Sequence, residues 1–292
     1  MHDTPTTTGA SDTVKLGDKT VSRMAFGAMR LADPAIWGPP ADRDHSIRLA
    51  RRAVELGVDH IDTADSYGLG VVEDILREAL HPYPDHVLIA TKVGQVQPRP
   101  GEWVPIGHPA LLRHQTEMSL RRLGVDRIDL LYLHRADPNV PFADQVGTMK
   151  ELRDEGKIAH FGLSEAGPEQ IELARGIIDV AAVQNIYNLT TRHWDHVVEY
   201  CTRENIPFVP WFPVMNGALA QPGGVAAEVA TATGSTPTQV ALAWLLARAE
   251  VICPIPGTSS IAHLEENVAA ASLRLTDEQI ASLTAAVAPA AE

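Results

Sequence analysis

Four side chains that could carry or orient a proton stand at the ends of apolar segments of this chain. Asp62 and Lys92 each end such a segment, His134 directly follows a third, and Tyr67 lies five residues after Asp62. Each has an ordinary structural explanation on its own: a helix cap, an exposed amine, a hydrogen-bonded histidine or a packed phenol. Polar residues at the ends of successive barrel strands face one another, however, so the four together predict an active site.

An ion pair between Asp62 and Lys92 would place the Lys92 ammonium near the hydroxyl of Tyr67. The positive charge favours the ionised phenol, so we expect it to lower the pKa of Tyr67 from the usual value of about 10. Tyr67 would then give a proton as a general acid, while neutral His134 would orient the reacting oxygen through a hydrogen bond. No side chain here can supply a hydride, so reduction of a carbonyl group would need a nicotinamide cofactor.

The composition fits one globular domain. The chain has 292 residues, of which 45% are hydrophobic, and a net charge of −13. This negative charge, with no basic cluster, argues against nucleic acid or an anionic membrane as a partner. No apolar run approaches the roughly 20 residues that span a membrane. Cys201 and Cys253 have no neighbour at metal-ligand spacing, so we expect reduced thiols in a cytoplasmic protein.

Apolar segments alternate with amphipathic ones along most of the chain. After a polar, Thr-rich stretch at 1–13, which we expect to be a disordered tail, one domain is predicted over 14–292, beginning with a β-hairpin turned at Gly17-Asp18. Strands are predicted at 24–29, 60–63, 87–92, 128–133, 158–163, 180–185, 206–211 and 251–255. Helices are predicted at 44–56, 71–80, 111–123, 142–155, 168–178, 191–204, 225–233, 238–249, 262–270 and 277–286.

Eight strand–helix units without a break in composition predict an α/β fold, a (β/α)8 TIM barrel with an N-terminal β-hairpin and extra C-terminal helices. An open, doubly wound sheet is the competing fold. It would usually carry Gly-x-Gly-x-x-Gly after a strand, whereas Gly68-Leu-Gly70 has no third glycine. The Pro- and Gly-rich residues 94–109 are predicted to be a functional loop, in which Trp103 either covers a pocket or fixes the loop to the surface.

The motifs around the four residues resemble those of the aldo-keto reductases. The matching stretches are Ile-Asp-Thr-Ala-Asp-Ser-Tyr-Gly with Asp62 and Tyr67, Ala-Thr-Lys-Val-Gly with Lys92, and Leu-Leu-Tyr-Leu-His-Arg with His134. The resemblance extends from about Val14 to the C-terminus. It implies a (β/α)8 barrel that binds NADPH in extended form at the carboxyl ends of its strands and acts on a small carbonyl substrate, with these four residues as the catalytic set.

Two later segments resemble the family's nicotinamide site. Gly162-Leu-Ser164-Glu165 resembles a Gly-Val-Ser-Asn segment that holds the carboxamide together with a glutamine, here Gln184. Glu165 stands in place of the asparagine, and a carboxylate accepts hydrogen bonds but does not donate them. The segment from Pro210 to Gly217 resembles one whose aromatic residue stacks on the nicotinamide. The match favours stacking by Trp211, with packing inside the barrel as its alternative role.

The segment Ile255–Asn267 resembles the loop that binds the adenosine 2′-phosphate. Backbone and hydroxyl donors there, followed by a helix N-terminus, can bind phosphate. Gly257 and His263 stand where the strongest phosphate binders have Lys and Arg, so NADPH is favoured over NADH, with a preference sensitive to salt and pH. The resemblance implies cofactor contacts by Ala28, Met29, Asp62, Ser164, Glu165, Gln184, Trp211, Phe212, Pro213, Val214, Gly217, Gly257, Thr258, Ser259, His263, Glu266 and Asn267.

The substrate is suggested by a narrower similarity. Ile36–Pro40, the Pro-rich loop and Val240–Leu246 are similar in wording to bacterial pyridoxal reductases of the same family. This implies reduction of pyridoxal to pyridoxine, or the reverse oxidation, in a pocket suited to a flat aromatic aldehyde. The predicted pocket residues are Met29, Trp37, Tyr67, His134 and Arg135, and Trp37 has an alternative role as an anchor of a surface loop.

Two other functions remain as alternatives. A barrel hydrolase would need clustered metal ligands or a Gly-x-Ser-x-Gly elbow, and the sequence has no His-x-His, His-Glu-x-x-His or such elbow, so no metal site is predicted. A cofactor-binding regulatory module without turnover is the second alternative. The complete set of four polar residues argues against it.

Overall fold

Parallel strands form the centre of the protein, in the computed structural model that describes residues 12–214 and 224–286. The strands are β1 (Thr13–Leu16), β2 (Lys19–Ser22), β3 (Phe26–Gly27), β4 (His60–Asp62), β5 (Leu88–Val93), β6 (Gln95–Arg99), β7 (Glu102–Pro105), β8 (Ile128–Leu133), β9 (Ile158–Ser164) and β10 (Val180–Gln184). Six of them form a parallel sheet in the order β10-β9-β8-β5-β4-β3, and β1–β2 and β6–β7 are antiparallel pairs. The predicted N-terminal hairpin is confirmed, with Gly17 at φ 64° in its turn.

Helices connect the strands of the sheet. They are α1 (Arg43–Glu55), α2 (Val71–Leu80), α3 (Pro109–Leu123), α4 (Phe142–Asp154), α5 (Pro168–Arg175), α6 (Asp195–Glu204), α7 (Val225–Thr233), α8 (Pro237–Arg248), α9 (Ile261–Ala269) and α10 (Asp277–Ala286). Local sequence explains several starts: Asp42 accepts from the backbone N–H of His45 at 2.8 Å to cap α1, and proline opens α3, α5 and α8. None of the helices in the described ranges is long and apolar enough to cross a membrane.

The two edges of the sheet are linked through isolated bridges, not through the two further regular strands predicted at 206–211 and 251–255. Phe208 bridges Val183 on one side and Ile252 on the other, and Gly257 bridges Gly27. That prediction of regular strands is wrong because proline has no N–H to donate to a ladder. Prolines recur through both segments, and their carbonyl groups accept from Val183, Ile255, Ala25 and Gly27, at Pro207, Pro210, Pro254 and Pro256 respectively.

Other boundaries also differ from the sequence prediction. The predicted loop 94–109 contains the β6–β7 hairpin, turned at Gly101 with φ 78°. The first barrel strand is shorter than 24–29, because a 3-10 helix, Ala28–Leu31, begins directly after β3. Helix α6 begins at Asp195 instead of 191, since the preceding backbone turns around the side chain of Asn188. The predicted tail lies outside the described residues except for its last two, and Thr13 belongs to β1.

Alternation along the strands separates an inner face from a helix-facing one. Leu88, Ala90, Tyr132 and Ala182 belong to the apolar cluster inside the curved sheet, while Ile61, Ile89, Leu131 and Val183 belong to the cluster under the helices. Gly162 is needed on the inner face, because a Cβ there would lie 2.4 Å from the ring of Tyr132. The same two-residue period directs Asp62, Lys92 and Gln184 inward at the carboxyl ends of their strands.

Candidate active site

A cavity of about 420 Å³ opens at the carboxyl ends of the parallel strands. The barrel-type fold places ligand sites at this end, and all four predicted catalytic side chains lie at this cavity or directly beneath it. The residues that line it are Gly27, Met29, Arg30, Ile36, Asp62, Tyr67, Gln95, Trp103, His134, Arg135, Ser164, Gln184, Trp211, Phe212, Pro213, Val214, Ile255 and Gly257. Lys92 does not reach the cavity wall, because it is completely buried below Tyr67.

Lys92 connects the acid at the end of β4 to the phenol in the following loop. Its Nζ donates to Asp62 Oδ1 at 2.5 Å, to the carbonyl oxygen of Thr63 at 2.7 Å and to Tyr67 Oη at 3.2 Å. Parallel pairing explains the meeting, since β4 and β5 are adjacent and Asp62 pairs with Ala90, two residues before Lys92. The second oxygen of Asp62 accepts from Gln184 Nε2 at 2.8 Å. The predicted arrangement of these side chains is therefore present.

The protonation states follow from burial and charge together. Burial lowers the pKa of Lys92, but Asp62 and Tyr67 outweigh it and leave that pKa raised, so Lys92 stays positively charged. Burial also raises the pKa of Tyr67, and the opposing effect of Lys92 is smaller. The expectation of a pKa below the ordinary value is thus wrong in sign. Lys92 limits the rise without reversing it, and Tyr67 holds its proton at neutral pH.

His134 approaches Tyr67 from the neighbouring strand. Its backbone N–H donates to the carbonyl of Val93 at 2.8 Å, and its ring lies edge-on to the phenol with the centroids 5.9 Å apart. Burial, with further effects of Lys92 and Arg135, holds the pKa of His134 well below its ordinary value. The imidazole is therefore neutral, as predicted, and one of its nitrogens can donate a hydrogen bond to a ligand oxygen beside Tyr67.

A partly buried ionic network holds the loop that carries Tyr67. Arg122 pairs with Asp65 and, at 2.7 Å, with Glu73, whose other oxygen accepts from Thr91 at 2.6 Å. The backbone N–H of Asp65 donates to the carbonyl of Lys92 at 3.1 Å. Because Asp65 lies two residues before Tyr67 and Thr91 one residue before Lys92, this network fixes the phenol relative to the amine.

The opposite wall of the cavity is formed by Trp211, which is positioned by Glu165. The indole Nε1 donates to Glu165 Oε1 at 2.7 Å, and the backbone N–H of Ile186 donates to the same oxygen at 2.6 Å. Trp194 Nε1 donates to the other oxygen at 3.4 Å. Glu165 has φ 55°, a left-handed conformation that asparagine tolerates better than glutamate. Its three donors over-determine this conformation, and they give the carboxylate a positioning role that the sequence did not reveal.

The arrangement fits the nicotinamide end of a dinucleotide. Trp211 offers an aromatic face, and Ser164 Oγ lies at the same wall. Gln184 uses its amide nitrogen for Asp62, which leaves its carbonyl oxygen to accept from a carboxamide. By contrast, the described part of the chain contains no group of three His, Cys, Asp or Glu side chains that could hold a metal ion.

Not all of the predicted cofactor residues lie at the cavity. Met29, Asp62, Ser164, Gln184, Trp211, Phe212, Pro213, Val214 and Gly257 line the cavity. Ala28 and Glu165 lie behind its wall, and Gly217 lies outside the described residues. Thr258, Ser259, His263, Glu266 and Asn267 continue away from the cavity into α9, where Ser260 accepts from His263 N at 3.4 Å to cap the helix. Glu266 already accepts from Thr236, and the adenosine contacts remain predictions.

One predicted substrate-pocket residue does not line the cavity, and several residues that were not predicted do. Met29, Tyr67, His134 and Arg135 line the cavity, whereas Ile36 lines it in place of its neighbour Trp37, because Ile36 has φ 57° in the loop. Trp103 lies in the wall with its ring edge-on to Tyr67 at 6.5 Å. Sequence reasoning missed Arg30, which lies beside Gly257, the Cγ atom being 3.8 Å from where a Cβ would stand. Among the described residues no acid lies within ion-pair distance of Arg30, which becomes visible only in the fold.

Comparisons with known proteins identify the family of the chain. The model of the aldo/keto reductase family matches residues 23–288. An uncharacterized oxidoreductase of Schizosaccharomyces pombe is 48% identical over 271 residues, which cover 93% of this chain and 88% of that protein. Pyridoxine 4-dehydrogenase of Escherichia coli is 41% identical over 280 residues, which cover 94% of this chain and 98% of that protein.

Solved structures give the same result for the fold. An aldo/keto reductase from Klebsiella pneumoniae, in complex with NADP and acetate, superimposes with a TM-score of 0.81 at 27% identity. The match covers 95% of this chain and 96% of that one. The α/β barrel-type fold predicted from the sequence is confirmed.

Proposed function

The chain belongs to the aldo/keto reductase family, and we propose that it reduces an aldehyde or ketone to an alcohol with NADPH. The observation that carries the proposal is the contact of 3.2 Å between Nζ of the buried Lys92 and Oη of Tyr67, which lines the cavity together with neutral His134. A protonated phenol beside a fixed positive charge can give a proton to an oxygen that becomes negative. That phenol lines the cavity in which a carbonyl group would bind.

Each residue has a separate part in the proposed reaction. When bound, a reduced nicotinamide supplies a hydride to the carbonyl carbon. Tyr67 gives its proton to the carbonyl oxygen, and the Lys92 ammonium stabilises the phenolate that remains. Asp62 keeps Lys92 charged and in place, since its carboxylate is 2.5 Å from Nζ. His134 donates a hydrogen bond that holds the carbonyl oxygen next to Tyr67.

NADPH is the cofactor that we propose, for two reasons. The Klebsiella pneumoniae relative was crystallised with NADP. In this chain, Arg30 lines the cavity beside Gly257 and has no acidic partner within ion-pair distance in the described ranges. A cation without an acidic partner in a chain of net charge −13 would attract the phosphates of a dinucleotide. The helix α9 N-terminus, predicted to bind the 2′-phosphate, lies further along the same segment.

Pyridoxal is the substrate that we propose first. Support comes from the 41% identity to pyridoxine 4-dehydrogenase and from the aromatic wall that Tyr67, Trp103 and Trp211 give the cavity. Flat aromatic rings are suited to such walls.

For the cellular location we propose the cytoplasm. Both cysteines are free and buried, in keeping with a reducing compartment.

A steady-state screen tests this function. Pyridoxal is compared with simple aromatic and aliphatic aldehydes, each with NADPH and with NADH, by loss of absorbance at the nicotinamide band. We expect pyridoxal to have the highest kcat/KM and NADPH to exceed NADH. Equal kcat/KM with the two cofactors would remove the NADPH preference. NADPH binding without turnover of any aldehyde would instead support the cofactor-binding regulatory module.

A further inference from the structure

We propose that Arg135 selects aryl aldehydes that carry an ionised oxygen ortho to the carbonyl group, by donating hydrogen bonds to that oxygen. The inference rests on the proposed carbonyl reduction and adds the substrate class that the site prefers. It starts from a positive charge in the cavity wall whose hydrogen-bonding capacity is only partly used.

The guanidinium group of Arg135 has donors to spare. Nη1 donates to the carbonyl of His134 at 2.5 Å and to Ser164 Oγ at 2.9 Å. Within residues 12–214 and 224–286, Nε and Nη2 have no hydrogen-bond partner, and no carboxylate comes within 4.0 Å of the group. Arginine presents five N–H donors in a planar fork that suits an anionic oxygen. The two remaining nitrogens are therefore available to a ligand in the cavity.

Neighbouring groups fix the direction of this fork. The guanidinium carbon lies 5.6 Å from the centroid of the Trp211 ring, in a cation–π contact. The bond to the His134 carbonyl ties the group to the backbone of a residue that faces the reacting oxygen. The charge of Arg135 opposes the rise in the pKa of Tyr67 and adds to the lowering of the pKa of His134, so it acts on both groups. An oxygen on the ring carbon next to the one that bears the aldehyde would therefore face this fixed charge.

Glu165 is the acid that raises the pKa of Arg135 most, but its oxygens already accept hydrogen bonds from other residues. Its carboxylate accepts from Trp211, Ile186 and Trp194, and none of its oxygens forms an ion pair with Arg135. Burial lowers the pKa of Arg135, and Glu165 and Tyr67 raise it in part, but arginine remains charged at any physiological pH. A partly buried cation of this kind favours a ligand that brings its own negative charge.

The aromatic walls limit the substrate to a flat ring. With the carbonyl oxygen between Tyr67 and His134, the ring would lie along Trp103, because Trp211 would face the nicotinamide. Its ortho position would then point toward Arg135. An ortho-phenolate there would accept from Nε or Nη2. A neutral ortho-ether would place an oxygen at the same position without the charge but with one additional methyl group, so the change of the ratio with pH reports the charge.

The test compares 2-hydroxybenzaldehyde with 2-methoxybenzaldehyde, at pH values below and above the pKa of the phenol. The quantity measured is the ratio of their kcat/KM values with saturating NADPH, which a general loss of activity does not change. In the unaltered enzyme we expect the ratio to rise as the phenol ionises. In Arg135→Met we expect it to fall by about 10- to 100-fold, the range for a hydrogen bond to a charged group. Arg135→Lys should give an intermediate ratio, because it keeps the charge and loses the fork.

Arg30→Met is the matched control, because it removes the other arginine that lines the cavity. We expect it to weaken NADPH binding, measured by fluorescence titration, and to leave the substrate ratio unchanged. A ratio that is the same in Arg135→Met as in the unaltered enzyme would overturn the proposal. An equal loss for both aldehydes with a raised NADPH dissociation constant would also overturn it and assign Arg135 to the cofactor side.

The two proposals can fail separately. Turnover of 2-methoxybenzaldehyde with a ratio insensitive to Arg135 leaves carbonyl reduction standing and removes the selection. Absence of turnover with every aldehyde removes both. Thermal unfolding of each variant shows whether it is folded. If Arg135→Met is not folded, the substrate ratio of Arg135→Lys is compared with that of the unaltered enzyme instead.

Discussion

Replacement of Lys92 by methionine tests the charge that the proposed mechanism depends on. Methionine keeps an unbranched side chain as far as Cε and lacks the ammonium that lies 3.2 Å from Tyr67 Oη. At an effective dielectric constant of about 20, two unit charges at this distance interact by about 5 kcal/mol. The phenolate is only partly formed in the transition state, so about half of this energy, roughly 2–3 kcal/mol, should be lost. This corresponds to about a 100-fold decrease in the reduction rate.

Stability changes as well, and it has to be separated from catalysis. Without Lys92, the carboxylate of Asp62 remains buried with Gln184 Nε2 at 2.8 Å as its remaining side-chain partner. Breaking a buried ion pair in this way costs about 3–5 kcal/mol of the free energy of unfolding. In Asp62→Asn/Lys92→Met both charges are removed, so we expect part of that stability to return. The reduction rate should not return, because the positive charge beside Tyr67 is still missing.

The assay measures single-turnover reduction of an aldehyde as a function of pH, together with urea unfolding. We expect Lys92→Met to shift the pH at which the acid titrates upward, because Lys92 lowers the pKa of Tyr67 against the effect of burial. An unchanged pH–rate profile would refute the charge-tuning account. Recovery of the rate in the double variant along with its stability would mean that Lys92 acts only through folding.

Two further variants test single parts of the site, and a third tests the pH dependence of stability. His134→Ala should lower kcat/KM for the aldehyde by about 10-fold or more and leave the NADPH dissociation constant nearly unchanged; a defect confined to cofactor binding would contradict its role. Arg30→Leu should weaken NADPH binding by about 10-fold at low salt and less at high salt, as titrated by fluorescence; equal effects at all salt concentrations would argue against a phosphate contact. His60 is fully buried and burial lowers its pKa from 6.5 to about 4. Between pH 4 and pH 6.5, His60 therefore binds a proton in the unfolded chain but not in the native chain. As the pH drops from 6.5 to 4, the free energy of unfolding should consequently fall by about 3 kcal/mol. In urea unfolding, His60→Leu should lose that part of the pH dependence, and a slope equal to that of the unaltered protein would disprove it.

The catalytic arrangement was predictable because it depends on strand order. Asp62, Lys92 and His134 end adjacent parallel strands, so the fold alone brings them together. Apolar runs alone wrongly predict regular strands at 206–211 and 251–255. The prolines at 207, 210, 254 and 256 have no N–H to donate, so these segments form only isolated bridges. The pKa of Tyr67 depends on a balance between burial and charge that only coordinates can give. Similarly, the sequence suggests a cofactor contact for Glu165 but not its hydrogen bond with Trp211, because the two residues are 46 positions apart in the chain.

The most direct test of the account is Tyr67→Phe, which removes the hydroxyl and keeps the ring against Trp103 and His134. Single-turnover reduction of an aldehyde and NADPH binding are measured on the same preparation. We expect the reduction rate to fall by about 10²- to 10⁴-fold, the contribution of a general acid, while the NADPH dissociation constant stays within about twofold. A rate equal to that of the unaltered enzyme would show that the proton comes from elsewhere.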